Sequence, residues 1–148
     1  MYKDLDRQMI QAFQCEGRIS LRRLAQQLGV ATTTVSKRLQ ELEQSGVIQG
    51  FKPIVDYSKL GYHLTVIIQI KAAGKRIAQI AEELKRNGHL THVYELTGEF
   101  DILAIGKFRD STSMNRELKQ LLSLNGIEDT NTSLVLGTPK EHGERELL

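Results

Sequence analysis

Apolar residues in the first third of the chain recur at helical spacing, whereas beyond residue 60 they alternate at strand spacing. Met9, Ile10 and Phe13 mark a first helix over about residues 6–15, with Asp6 as its cap and Gly17 as its stop. Leu21, Leu24, Ala25 and Leu28 fall at i, i+3, i+4 and i+7 of a short second helix. Ser20 suits its N-terminal cap and Gly29 its left-handed C-terminal residue. Val35, Leu39 and Leu42 line one face of a third helix that ends at Ser45-Gly46. Only residues 29–31 separate the second helix from the third, the turn length of a helix-turn-helix unit. Thr32, Thr33 and Thr34 open that third helix, although β-branched residues lose rotamer freedom in helices.

After Gly46 the pattern changes. The run VIQGFKPIV reads as an extended strand-like segment, in which Pro53 argues against a helix and against a central strand position. Residues 56–61 form a polar connector, so the expected organisation is a helical domain over 1–50, a strand and linker over 51–60, and a second domain over 61–148. Leu64, Val66, Ile68 and Ile70 alternate with Thr65, Ile67, Gln69 and Lys71 in a half-buried strand. Ile77, Ile80, Ala81 and Leu84 mark a helix. Strands over 92–97 and 100–108 follow, joined by a short turn at Gly98-Glu99. Met114, Leu118, Leu121 and Leu122 mark another helix, and a last strand covers about 128–136. The order β-α-β-β-α-β is that of the ferredoxin-like split βαβ motif, an antiparallel sheet with two helices on one face. The expected fold class is therefore α+β. The other sheet face, carrying Ile67, Leu103 and Ile105 or their alternates, would meet water in a monomer and points to a homo-oligomer.

The chain of 148 residues has a formal charge of +2, with the excess confined to one region. Residues 1–50 hold seven Lys/Arg and five Asp/Glu, whereas the remainder holds thirteen of each. Within residues 17–40, Arg18, Arg22, Arg23, Lys37 and Arg38 meet no acid, a local basic patch suited to a polyanion. The single cysteine, Cys15, excludes an internal disulfide framework. No apolar run approaches a membrane span, and Asp4 and Asp6 stand where a signal peptide would be apolar, so the expected location is cytoplasmic. His89 and His92 have a metal-like spacing, but they straddle a helix end and a strand start without a third ligand. No Gly-rich phosphate loop, nucleophile elbow or acid pair is present, so neither an enzyme nor a cofactor is expected.

Three stretches together resemble the Lrp/AsnC family, the leucine-responsive and asparagine-operon regulators also called feast/famine regulators. They are EGRISLRRLAQQLGVATTTVSKRLQELEQSGVIQGF over 16–51, ELTGEFDILAIGKF over 95–108, and GIEDTNTSLVL over 126–136. Their order and spacing cover roughly residues 5–140. One departure is Ala31, where family members often place Ser, which makes Thr32 the candidate cap of the third helix.

The resemblance implies a sequence-specific regulator that binds double-stranded DNA at pseudo-palindromic operators. The candidate DNA contacts are Arg22, Arg23, Thr32, Thr33, Thr34, Ser36, Lys37 and Arg38. Short hydroxyl side chains at the mouth of a recognition helix reach base edges or phosphates without holding the helix away from the groove. Arg38, at the edge of the apolar face, has the alternative of pairing with Glu41 or Glu43, and Thr32 is better suited to capping than to base contact. The resemblance further implies an amino-acid effector held where subunits meet. The matching positions are Thr97, Gly98, Glu99, Phe100 and Asp101 in the turn and Thr130, Thr132 and Ser133 on the last strand. A glycine turn exposes N–H groups to a carboxylate, and Asp101 or Glu99 would take the ammonium. The plainer alternative is a hairpin in which Asp101 bonds the turn backbone. Family assembly implies a homodimer, pairing partly through residues 47–54, and higher multiples such as an octamer. A tail over 141–148 is expected to be loose and is a candidate for joining dimers. The competing reading is a helix-turn-helix regulator or DNA-organising protein whose second domain only assembles.

Overall fold

The computed structural model describes residues 3–141. All of the C-terminal tail after Glu141 lies outside the described residues, and so does the expectation placed on it. Two compact units divide the chain: among the described residues, the first holds those up to Val55 together with 139–141, and the second is Asp56–Thr138.

The first unit holds three helices, α1 (Asp4–Cys15), α2 (Leu21–Leu28) and α3 (Thr32–Gln44). Met9, Phe13, Ile19, Leu24, Ala25, Val35 and Leu42 form its core, and Ile10, Leu21, Leu28 and Leu39 pack around them half-buried. Each of the larger apolar side chains among them contributes about 1.5–3 kcal/mol when withdrawn from water, which is what holds three short helices together. Ser20 caps α2 by accepting the Arg23 N–H at 3.2 Å, and Gly29 ends it at φ 66°.

Three expectations for this unit need correction. Helix α1 starts two residues early, so Asp6 lies inside it rather than at its cap, and it is wholly buried. Its carboxylate still accepts the Lys3 N–H at 3.1 Å. Thr32 does not cap α3, because Ala31 holds the extended cap conformation (ψ 144°) and Thr32 is already helical; the cap position has no side-chain hydrogen bond. Finally, residues 47–55 form no strand. Pro53 has no N–H to donate, Gly50 breaks the run at φ 148°, and no strand of the same unit lies alongside to pair with it. Phe51 instead packs edge-on against Phe13, ring centroids 5.1 Å apart.

The second unit begins with a 3-10 turn, Tyr57–Leu60, and continues as β1 (Leu64–Ala72), α4 (Ile77–Lys85), β2 (Leu90–Glu95), β3 (Ile102–Phe108), α5 (Ser111–Leu122) and β4 (Ile127–Leu134). The sheet order is β2-β3-β1-β4, every pair antiparallel. Val66, Ile68, Ile70, Ala72, Ile102, Ala104 and Phe108 pack with Ile80, Leu84, Leu118 and Leu121 of the two helices. Their alternates Ile67, Leu103 and Ile105 are only half-buried and lie on the opposite face, Ile67 directly beside Ile105. Tyr94 pairs with Leu103 and His92 with Ile105, so both extend the open face onto β2. At the start of α5 the Asp110 carboxylate accepts the Ser113 N–H at 2.7 Å, which holds its pKa below the usual carboxylate value.

Candidate functional site

Helix α3 enters solvent mouth first. Thr32, Thr33, Thr34, Ser36 and Lys37 are all exposed, and Lys37 has no ion-pair partner among the described residues. The N–H groups of Thr34 and Val35 both reach the Ala31 carbonyl, at 3.0 and 3.2 Å. Those of Thr32 and Thr33 have no acceptor among the described residues, so two donors at the positive end of the helix dipole point outward. On α2, Arg22 is exposed and without an ion-pair partner among the described residues, while Arg23 bonds Glu16 at 2.8 Å with both side chains largely in solvent.

Arg38 differs from its neighbours. Its Nε donates to Asp6 Oδ1 at 2.8 Å, its Nη2 to Asp6 Oδ2 at 2.5 Å, and its Nη1 to Glu41. Only 22% of its side chain is exposed. The guanidinium beside Asp6 outweighs burial and holds that carboxyl below its ordinary pKa. Arg38, expected as a DNA contact, thus has three of its five N–H donors engaged by carboxylates inside the unit, which favours the pairing alternative over contact with DNA. The alternative pairing with Glu41 is present, and the larger partner, Asp6, escaped the sequence reading. A signal existed, since Asp6 precedes Met9, Ile10 and Phe13 at i+3, i+4 and i+7 and so lies on the buried stripe of α1.

In the second unit the connection between β2 and β3 runs over residues 96–101, longer than the two-residue turn expected. Its far end is fixed to β1. Asp101 donates its N–H to the Ile70 carbonyl and accepts the Ala72 N–H on Oδ2, each at 2.9 Å, and Leu96 N–H closes the loop on the Asp101 carbonyl at 2.7 Å. Between these ties Gly98 adopts φ 117°, and the N–H groups of Thr97, Gly98, Glu99 and Phe100 have no acceptor among the described residues. Glu99 is exposed and without a partner among the described residues; Asp101 has already committed one carboxylate oxygen to the backbone.

The three β4 candidates do not share a face. Thr130 and Thr132 stand opposite Ile70 and Ile68, whose side chains face the helices, whereas Ser133 stands opposite Ile67 on the open face. A single ligand within one chain cannot meet all three hydroxyls. Thr130 and Asp101 stand level with Ile70 but on its two opposite sides, Thr130 on β4 and Asp101 at the β3 edge, so β1 lies between them. A separate open groove of about 500 Å³ runs between α4 and the outer edge of β2, lined by Glu82, Lys85, Thr91, Val93 and Glu95 among others, and contains none of the candidate ligand residues. His89 stacks on Phe108 and His92 on Tyr94, so the two histidines engage separate rings.

Comparison with known proteins agrees with this division. A winged helix-turn-helix DNA-binding family model matches residues 3–49, and a model of the Lrp/AsnC ligand binding domain matches residues 65–145. An uncharacterized HTH-type transcriptional regulator of Pyrococcus furiosus is 47% identical over 138 residues, spanning 93% of each chain. The HTH-type transcriptional regulator FL11 of the same organism is 32% identical over 141 residues, 95% of this chain and 93% of its own. The solved structure of E. coli AsnC superposes with a TM-score of 0.89 at 26% identity, covering 95% of this chain and 96% of that one. A Neisseria meningitidis transcriptional regulator crystallised as an L-Met complex superposes at TM-score 0.90 and 23% identity over 100% of both chains, a likeness of fold. A helix-turn-helix unit followed by a ligand-binding unit defines a DNA-binding transcriptional regulator, not an enzyme. The chain belongs to the Lrp/AsnC family of such regulators. None of its described helices is long and apolar enough to cross a membrane.

Proposed function

We propose that this regulator reads pseudo-palindromic operators as a homodimer or a higher multiple such as an octamer, and that an α-amino acid bound between subunits of its second unit adjusts that binding. The observation that carries the DNA half is the mouth of α3, where two N–H groups and a Lys37 without partners among the described residues stand with three exposed threonines and Ser36. Helix-terminal N–H groups take a phosphate oxygen, while hydroxyl and methyl groups reach base edges in the major groove. Arg22 joins them as a backbone contact, with Arg23 able to leave its solvent-exposed partner Glu16 at little cost.

The effector half rests on the 96–101 loop. Its N–H groups at Thr97 to Phe100, without acceptors among the described residues, suit a carboxylate, and Glu99, without a partner among them, suits an ammonium better than the committed Asp101. Thr130 is the β4 hydroxyl nearest that loop in register, whereas Ser133 stands opposite Ile67 on the open face.

Selection of bound fragments from a random DNA pool, repeated with each of the twenty amino acids, tests both halves. Enrichment of a two-fold repeated sequence is expected, with one or a few amino acids changing its yield and raising the unfolding midpoint of the free protein. No enrichment removes the operator reading. Enrichment with no midpoint shift from any amino acid, with or without the selected duplex, leaves the second unit as an assembly module.

A further inference from the structure

Two carboxylates and one guanidinium meet where α1 and α3 cross. Asp6 is wholly buried, Arg38 is mostly buried, and Glu41 completes the cluster from one turn further along α3. Each of Nε, Nη1 and Nη2 of Arg38 is engaged by a carboxylate. With two negative charges on one positive, the cluster has no positive charge left to offer a phosphate.

The pairing has a geometric consequence that apolar packing lacks. Val35 and Leu42 hold α3 against the core, but hydrophobic contact is non-directional and tolerates small rotations and slides. A planar guanidinium bonded through two nitrogens to both oxygens of one carboxylate fixes distance and orientation together. Asp6 is itself held at its own helix start by the Lys3 N–H. The fork therefore fixes the rotation of α3 about its axis, and a rotation of one residue step, about 100°, would swing Thr33 and Thr34 away from whatever they face.

We infer that Arg38, through its buried bond to Asp6, is the positioning residue that sets which α3 hydroxyls meet the bases, so that it governs sequence discrimination without contributing charge to DNA affinity. This rests on the DNA-binding reading above. Burying an ion pair is an inefficient route to stability, since apolar replacements of similar size are often neutral or stabilising, so its presence midway along α3 fits an orienting role.

The full chain is titrated against two duplexes of equal length, one selected from a random pool by the wild-type chain and one scrambled, over a range of salt. The variants are Arg38→Met, the apolar pair Asp6→Leu/Arg38→Met, and Arg38→Lys, which keeps the charge and loses the fork. Lys37→Ala serves as the charge control. The expected result is that Arg38→Lys and the apolar pair unfold cooperatively and keep the wild-type salt slope. Their preference for the selected duplex falls by at least about tenfold, the equivalent of one misread base pair. A salt slope lower by about one in Arg38→Met would make Arg38 a phosphate contact and overturn the inference. Wild-type preference in Arg38→Lys would overturn it equally, and that variant decides the matter if the apolar pair does not fold. A wild-type chain that prefers no duplex would remove the DNA reading itself, an outcome distinct from either.

Discussion

Lys37 and Arg38 are adjacent cations with opposite surroundings, one exposed and unpaired among the described residues and the other enclosed by acids. Replacement of Lys37 by Ala is expected to weaken binding to all duplexes evenly and to lower the slope of log affinity against log salt by about one, read from titrations at several salt concentrations. Altered sequence preference at an unchanged slope would move Lys37 from phosphate to base readout. Asp6 supports a second expectation. Its folded pKa lies below its unfolded value, chiefly through the Arg38 hydrogen bonds, so its stabilising contribution is complete at pH values above the unfolded pKa. That contribution is lost as pH falls through the folded value, which places the effect below about pH 4. Unfolding midpoints followed from pH 7 to pH 3 should fall steeply for the wild type. Asp6→Asn should start lower at pH 7 and fall less steeply in acid, its unfolding coupled to about one proton fewer. Parallel curves would mean that other carboxylates set the acid limit.

At the scale of elements, what the sequence made legible was whatever periodicity encodes locally. The stripes Met9–Phe13, Leu24–Ala25 and Val35–Leu42 are the observed core of the first unit, and the alternation along β1 and β3 correctly divides helix-facing from open-face residues. What it hid depends on partners distant in the chain. The 96–101 loop looked like strand because Leu96 and Phe100 continue the alternation; its true length is set by Asp101 reaching Ala72, 29 residues away. The 47–55 run has strand-like residues and no strand beside it. The nearby Glu41 was a foreseeable partner of Arg38, whereas Asp6, 32 residues distant, was not. Gly106 is a further case, a glycine in the centre of a buried strand that sequence reading passes over. A Cβ there would meet the Phe108 ring at 2.8 Å and Leu90 at 3.2 Å, and Phe108 is fully buried. Gly106→Ala is therefore expected to overpack the sheet–helix core by about 1–3 kcal/mol. Chemical denaturation would show it as a lower midpoint at an unchanged slope, whereas a wild-type midpoint would mean that the Phe108 ring has room to turn.

The whole molecule presents an apolar sheet face that a single chain leaves open. Ile67 and Ile105 lie side by side on the two central strands, with Leu103 next to Ile105 and the half-exposed Tyr94 beyond it on β2. In the first unit Val47, Phe51 and Ile54 are also exposed, on a segment that forms no strand within its own chain. Two surfaces are thus available for a second copy, and one substitution separates them. Ile105→Lys places a charge at the middle of the sheet face while leaving the helix-facing core untouched, so each chain should fold with near wild-type cooperativity. If that face joins subunits, light scattering should report a lower mass. Affinity for a duplex carrying two half-sites should then fall on the order of a hundredfold, because the second unit of binding no longer gains from effective concentration. Affinity for a duplex with one half-site should hardly change, since the mouth of α3 belongs to the other unit. An unchanged mass would assign assembly to the 47–54 segment instead, where Phe51→Glu would be expected to lower it.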